Sequence, residues 1–250
     1  MTVQHRGFRH AKGTGGLDQC EDAFAVNPQA GRFAVADGAA ESSFAFIWAR
    51  LLVERFTASA QGVLVPWDPV WMAELRRSWQ DEVCELLAAH FGENDLPWYV
   101  ETGFRRGALA TFLGLVVSMG KKEYRWQATA VGDTCLFHTR QGELLQHLPI
   151  ERADQFTRTP CLIPSCAEGL EQEGMTVEGV AQSDDRLWIA TDAFAAWCLE
   201  EHESNRNPWR KLEWLLQPPG TEERFSFWIE KLRSKRKLRN DDVTLVIVTL

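Results

Sequence analysis

GRFAVADGAAES, residues 31–42, is the stretch that indicates how this chain folds. Its apolar segment, residues 33–36, has the composition of a strand and runs directly into Asp37 and Gly38. An Asp-Gly dipeptide is by itself a common turn, in which Asp caps its own backbone and Gly accepts a positive φ. However, residues 43–56 repeat apolar side chains at helical spacing and do not form a second strand. We therefore expect Asp37 at the tip of a strand that leads into a helix.

The rest of the chain repeats these two patterns. Strand-like runs, rich in β-branched or aromatic residues, lie at 111–119, 124–131, 136–139, 187–190 and 243–250. Helix-like runs, with apolar residues three and four positions apart, lie at 43–56, 70–91, 194–201 and 225–238. Because the helices are grouped between sets of strands, we predict an α+β layered sandwich in a single domain, residues 1–250. RQGE (140–143) predicts a hairpin turn, and the weakly periodic stretch 148–185 predicts a surface insertion or flap.

Composition narrows the class of protein. With 250 residues and 45% hydrophobic content, the chain can bury a full core. Its formal net charge of -8 disfavours nucleic-acid binding, which depends on excess Lys and Arg. A basic run within residues 231–239 is interpreted as a solvated helix end, with docking of an acidic partner as the alternative. We find no signal-peptide pattern and no run that spans a bilayer, so we expect a cytoplasmic protein without a membrane partner.

Carboxylates recur where the predicted strands begin or end. The residues in such positions are Glu21, Asp22, Asp37, Asp133, Asp192, Asp241 and Asp242. Each one alone is explained as a cap or turn residue, but together they would repel one another, so their convergence would require cations. Oxygen ligands without Cys or His suit Mg²⁺ or Mn²⁺, or Ca²⁺ where more ligands gather, and the histidines show no zinc-site spacing. Two such ions that share a carboxylate and a water produce a hydroxide nucleophile, so the pattern favours phosphoester hydrolysis.

Taken in order, these motifs resemble those of the metal-dependent protein phosphatases of the 2C type, and most closely the compact bacterial members. The matching segments are CEDAF (20–24), FAVADGAAES (33–42), RRGALATFLGLVV (105–117), AVGDTCLF (130–137), LWIATDAFAAW (187–197) and RNDDVTLVIV (239–248). The resemblance implies a four-layer α-β-β-α sandwich around a central antiparallel β-sandwich. It also implies a Mn²⁺- or Mg²⁺-dependent signalling enzyme that removes phosphate from serine and threonine in phosphoproteins, with a Ser/Thr kinase opposing it.

The same resemblance implies roles for individual residues. Asp37 would bridge two metal ions, with the Gly38 carbonyl as a further ligand. Asp192 and Asp241 would complete the shell of the first ion, which makes them, with Asp37, the expected catalytic group. Asp133 would belong to a weaker third ion. The residues expected to hold metal-bound waters or to orient a neighbouring ligand are Glu21, Asp22 and Asp242.

Departures from the family pattern leave a second interpretation open. The family's phosphate-binding arginine is replaced by Leu17, and the candidates to substitute for it are Arg6, Arg9 and Lys12. Ala193 stands where the family usually has a glycine. The alternative is therefore a catalytically weak phosphatase-like module that recognises a phosphoprotein. A hydrolase for small phosphoesters and a set of carboxylates that only cap strands and helices are the remaining hypotheses.

Overall fold

The computed structural model describes residues 3–13, 16–59, 68–92, 95–157, 159–166, 174–217 and 221–250. The strands in these ranges are β1 Gln4–His10, β2 Ala23–Asn27, β3 Arg32–Gly38, β4 Leu109–Met119, β5 Tyr124–Val131, β6 Cys135–Arg140, β7 Glu143–Leu148, β8 Ile163–Pro164, β9 Met175–Ala181, β10 Arg186–Ala190 and β11 Val243–Thr249. The α-helices are α1 Ala45–Ala58, α2 Pro69–Phe91, α3 Trp98–Arg106, α4 Asp192–Glu203, α5 Pro208–Leu212 and α6 Glu222–Ser234. None of the helices in the described ranges combines the length and apolarity that a membrane crossing needs.

The strands pair antiparallel into two sheets. One sheet has the order β1-β11-β10-β6-β7, and the other has the order β2-β3-β4-β5-β9, with β8 paired to the start of β4. The register places Gln4 opposite Thr249 and Ala190 opposite Leu245, so β11 lies between β1 and β10. Within each sheet, the end of one strand therefore lies beside the start of its neighbour, and loops from distant parts of the sequence meet at the same edge.

Three apolar layers hold the sheets and helices together. Because successive residues of a strand face opposite sides, one strand contributes to two layers. In β11, Val246 and Val248 belong to the layer between the two sheets, whereas Leu245 and Ile247 pack in the layer that contains residues of α4 and α6. A third layer joins β3 and β4 to α1 and α2. The α+β fold with helices outside two antiparallel sheets, which the resemblance implied, is confirmed.

The ends of the elements depart from the sequence predictions by a few residues, and one departure matters for the site. The helix predicted over 225–238 is α6, which ends at Ser234. Arg236 takes a left-handed conformation with φ of 55°, and the Lys237 N–H donates to the Leu232 carbonyl at 2.9 Å. This backbone arrangement is a common way to end a helix. The basic segment after α6 is therefore a turn that leads into β11.

The stretch 148–185 contains more regular structure than its weak periodicity predicts. Met175–Ala181 forms β9, an edge strand paired with β5, and Ile163–Pro164 pairs with Leu109 and Ala110. Residue 158 and residues 167–173 lie outside the described residues. Residues 175–181 thus belong to the sheet, and a flap before β9 stays a prediction. The RQGE hairpin is present: Gln141 and Gly142 have φ of 51° and 79° between β6 and β7.

Candidate metal centre

Loops from both sheets bring carboxylates to one end of the β-sandwich. Asp37 lies near the end of β3, opposite Thr111 at the start of β4. Asp133 lies between β5 and β6, and Asp192 is the first residue of α4, directly after β10. Because the strands are antiparallel, the ends of β3, β5 and β10 and the starts of β2, β6 and β11 share this edge. The carboxylates that lie at this edge are Asp22, Asp37, Asp133, Asp192, Asp241 and Asp242.

The carboxylates act on one another electrostatically. Burial, followed by the negative charges of Asp22, Asp192, Asp133 and Asp241, raises the pKa of Asp37 well above its ordinary value. Burial and then the charge of Asp192 raise the pKa of Asp133 to about 7. Burial, with a further contribution from neighbouring carboxylates, raises the pKa of Asp22 to about 8. The predicted ligand residues are therefore gathered in one cluster.

The donor set of this cluster suits a hard divalent cation. Every donor is an oxygen, and the Oδ1 atoms of Asp22 and Asp192 are buried without a hydrogen-bond partner. A buried carboxylate oxygen is unfavourable unless a donor or a cation satisfies it. In the described part of the chain, no group of three or more Asp, Glu, His or Cys side chains is already arranged to hold an ion. The residues thus fit a metal by chemistry and position, and a complete ligand shell requires side-chain movement.

Asp242 fastens the N-terminal segment to the cluster. Its Oδ1 accepts a hydrogen bond from the Lys12 N–H at 2.6 Å, and its Oδ2 accepts one from the Glu21 N–H at 2.8 Å. Its own N–H donates to Asp241 Oδ1 at 3.0 Å. Both carboxylate oxygens of Asp242 are therefore used in positioning backbone groups, and its role in orienting a metal ligand stays a prediction.

Thr191 is a site residue that the sequence analysis missed. Its hydroxyl donates to Asp22 Oδ2 at 2.9 Å and accepts from the Thr244 N–H at 2.9 Å. Thr191 thereby connects the start of β2, the end of β10 and the start of β11. A threonine directly before a predicted ligand, Asp192, was the available signal, but its partners are distant in sequence.

Glycine is required at position 38 because two other backbone segments pass close to it. A Cβ at this position would lie 2.8 Å from the Glu21 carbonyl oxygen and 3.0 Å from the Ala45 backbone. The Gly38 N–H donates to the same Glu21 carbonyl at 3.2 Å. Only glycine fits where the end of β3 meets the segment before β2, and contact of its carbonyl with an ion stays a prediction.

The nearby cations are not at the family's usual arginine position. Leu17 begins a short 3-10 helix and is 44% exposed. Lys12 Nζ lies 2.5 Å from Glu21 Oε2, and Arg9 Nη1 donates to the backbone carbonyl of the residue after Glu21 at 3.1 Å. Arg6 lies in β1 and is half-buried. The three candidates Arg6, Arg9 and Lys12 remain predictions as phosphate ligands, although Lys12 and Arg9 both contact the acidic segment.

Two arginines of the basic run contact the cluster, so the interpretation of that run as a solvated helix end was incomplete. Arg239 Nη2 donates to Asp192 Oδ2 at 2.5 Å, and Arg233 donates to the Asp241 backbone carbonyl. The turn at Arg236 directs the chain back toward these carboxylates. The signal in the sequence was the short distance along the chain between the basic residues and Asp241.

Ala193 is compatible with the local backbone. It is the second residue of α4, and no positive φ is recorded there. A right-handed helical residue tolerates Cβ, so the usual glycine is not needed at this position. This departure from the family pattern therefore gives no structural reason for a distorted site.

We predict that the metal-free protein loses stability as the pH rises from about 5 to about 9. The pKa values of Asp22 and Asp133, about 8 and about 7, exceed the ordinary 3.8. The folded state therefore retains protons that the unfolded chain releases, and stability falls through this interval. We expect the melting temperature in EDTA to fall by about 5 °C or more, as for a loss of about 2 kcal/mol. Saturating Mg²⁺ should oppose the decline, and a melting temperature that rises with pH would contradict the prediction.

Solved structures with low sequence identity share this fold. PppA, a key regulatory component of the T6SS in Pseudomonas aeruginosa, matches with a TM-score of 0.62 and 15% identity, covering 100% of this chain and 98% of that one. The Mycobacterium tuberculosis serine/threonine phosphatase PstP/Ppp matches with a TM-score of 0.60 and 16% identity over 100% and 99%. The PstP catalytic domain in complex with two manganese ions gives 0.57 and 17% over 99% and 97%. No protein-family model and no curated protein matches the sequence. Over its whole length, this chain has the fold of the 2C-type metal-dependent protein phosphatases.

Proposed function

We propose that this protein hydrolyses phosphoserine and phosphothreonine in protein substrates with the aid of two Mn²⁺ or Mg²⁺ ions. The observation that supports this most directly is the convergence of carboxylates from both sheets, two of which have a buried oxygen without a partner. The fold adds support, because the PstP catalytic domain, which has the same fold, holds two manganese ions. The substrate would then be a phosphoprotein. A Ser/Thr kinase would phosphorylate that substrate, and this protein would remove the phosphate.

Asp37, Asp192 and Asp241 would hold the ions, with the Gly38 carbonyl as a further ligand. Asp133 would belong to a third, weaker site. When bound, the ions would supply an activated water and positive charge for the transferred phosphoryl group. The residues that would hold waters or position these ligands are Glu21, Asp22 and Asp242. Rigid placement matters because small errors in ligand position reduce catalysis strongly.

The first test is metal-dependent hydrolysis by the purified full chain. We expect turnover of a phosphothreonine peptide that EDTA abolishes and that Mn²⁺ or Mg²⁺ restores, because the negatively charged carboxylates cannot themselves stabilise the phosphoryl oxygens. Initial rates on the peptide and on para-nitrophenyl phosphate, measured side by side, give the result. Preference for the small ester would favour a small-phosphoester hydrolase instead.

A phosphatase-like binding module is the alternative, and Leu17 is the observation that favours it. Its side chain is exposed and apolar where the family has a guanidinium, so the usual phosphate contact is missing. A folded protein that shows no turnover with any metal but binds a phosphopeptide would support this alternative. Peptide binding measured by calorimetry, with the unphosphorylated peptide as the control, separates it from an inactive preparation.

A further inference from the structure

Arg239 is paired with one of the proposed metal ligands. Its Nη2 donates to Asp192 Oδ2 at 2.5 Å, although the two residues are 47 positions apart. The Arg239 side chain is 48% exposed and that of Asp192 is 16% exposed. The guanidinium therefore lies at the rim of the cluster, while the carboxylate that it contacts lies mostly inside it.

The same guanidinium also acts on Asp133. Burial and the negative charge of Asp192 raise the pKa of Asp133, and the positive charge of Arg239 acts in the opposite direction. It has this effect on Asp192 as well, where it counters both burial and the charge of Asp241. Arg239 thus acts electrostatically on two carboxylates of the cluster, one that follows β10 and one that lies between β5 and β6.

A guanidinium remains charged at all relevant pH values, so it cannot make room for a cation by losing its proton. A divalent ion bound by Asp192 would meet this positive charge at short range, and Oδ2 is already occupied. The other oxygen, Oδ1, is buried and has no partner. For Asp192 to use both oxygens in a ligand shell, the Arg239 side chain has to leave.

Departure of this side chain is sterically simple. Arg239 lies in the segment between α6 and β11, is half exposed and belongs to none of the three apolar layers. Its release would leave Asp192 Oδ2 available to an ion beside the unpartnered Oδ1. The cluster can therefore adopt two arrangements. In one, Arg239 balances the negative charge of Asp192, and in the other, a metal ion balances it.

We propose that Arg239 is an internal competitor of the divalent cation, which must displace it from Asp192 before the centre fills. This inference rests on the metal centre of the proposed function. In the metal-free protein, Arg239 lessens the repulsion among the carboxylates. The same contact raises the concentration of Mn²⁺ at which the centre becomes occupied.

The test is a calorimetric titration of metal-stripped protein with MnCl₂, in the wild type and in Arg239→Gln. We expect the half-saturating Mn²⁺ concentration to fall at least about fivefold in the variant, because the guanidinium no longer competes with the ion for Asp192. We also expect a lower melting temperature for the metal-free variant, since Asp192 loses its counter-ion. If Arg239 only maintained the shape of the site, its removal would weaken Mn²⁺ binding.

Lys237→Gln is the matched control, because it removes an equal charge from an exposed side chain of the same segment. Its half-saturating concentration should stay within about twofold of the wild type. Unchanged or weaker binding by Arg239→Gln, or an equal gain in Lys237→Gln, would overturn the inference. Because binding is measured without a substrate, an inactive protein with the expected shift would refute the phosphatase proposal alone.

Discussion

Asp37→Asn is expected to lower kcat/KM for a phosphothreonine peptide by about 100- to 1000-fold while making the metal-free protein more stable. The loss of activity follows from the proposed role of Asp37 as the carboxylate shared between two ions. The gain in stability follows from charge: burial and four neighbouring aspartates raise the pKa of Asp37, so its ionised form opposes folding.

The two effects depend differently on pH and metal. Near pH 8, the Asn variant should melt a few degrees higher than the wild type in EDTA. At lower pH, this difference should shrink, because the raised pKa of Asp37 favours its protonated form in the wild type. With saturating Mn²⁺, the order should reverse, since the wild type gains stability from a bound ion that the variant holds poorly.

Asp154→Asn provides the comparison, because Asp154 is an exposed partner of Arg152 and lies outside the cluster. It should leave both kcat/KM and the melting temperature unchanged. If Asp37→Asn retained metal-dependent turnover near the wild-type level, the bridging role would be wrong. If it lost activity and stability together, Asp37 would be a structural residue.

Asp185→Ala is expected to destabilise the protein by about 2–4 kcal/mol without a comparable effect on catalysis. Asp185 lies just before β10, at the end of the sheet opposite to the cluster. Its carboxylate accepts from Arg140 at 2.7 and 2.8 Å, from His138 at 2.9 Å and from the Gln182 N–H at 2.9 Å. The loss comes mainly from buried His138 and the backbone N–H, because Arg140 can return to water.

Urea unfolding measures this effect, and the midpoint should fall by about 1 M or more. Asp185→Asn keeps the size and one acceptor oxygen, so its loss should be smaller than that of the Ala variant. Asp154→Ala removes an exposed ion pair and should leave the midpoint unchanged. An Asp185→Ala midpoint equal to that of the wild type would show that the buried hydrogen-bond network makes no net contribution to the free energy of unfolding.

The sequence predicted well the elements that pack a face in an apolar layer, and it predicted poorly the elements at a sheet edge or at the surface. β5 and β11 were located to within a residue because their apolar side chains pack in the layer between the sheets, and those of β11 also pack in the layer that contains α4 and α6. β1, β9 and α3 were missed. β9 alternates exposed and half-buried residues at a sheet edge, and α3 has only nine residues and buries none of its side chains fully, so neither gives a strong apolar signal in the sequence.

The carboxylates of the candidate site could be found from the sequence, but the groups that balance them could not. An acidic residue beside a strand end is a local pattern. By contrast, the contact from Arg239 to Asp192 spans 47 positions, and that from Thr191 to Asp22 spans 169. Such contacts depend on the sheet order, and a basic residue looks the same in sequence whether it faces solvent or a carboxylate.

The central place of β11 in its sheet also has a consequence for synthesis. β11 separates β1 from β10, and Asp241 and Asp242 directly precede it. Since a ribosome delivers the chain from the N-terminus, all strands of the other sheet are available by residue 181, well before β11 at 243–249. The unfinished sheet leaves a gap between β1 and β10 until then. The carboxylate cluster is therefore among the last features of the described chain to assemble, and the proposed activity requires that β11 has been synthesised.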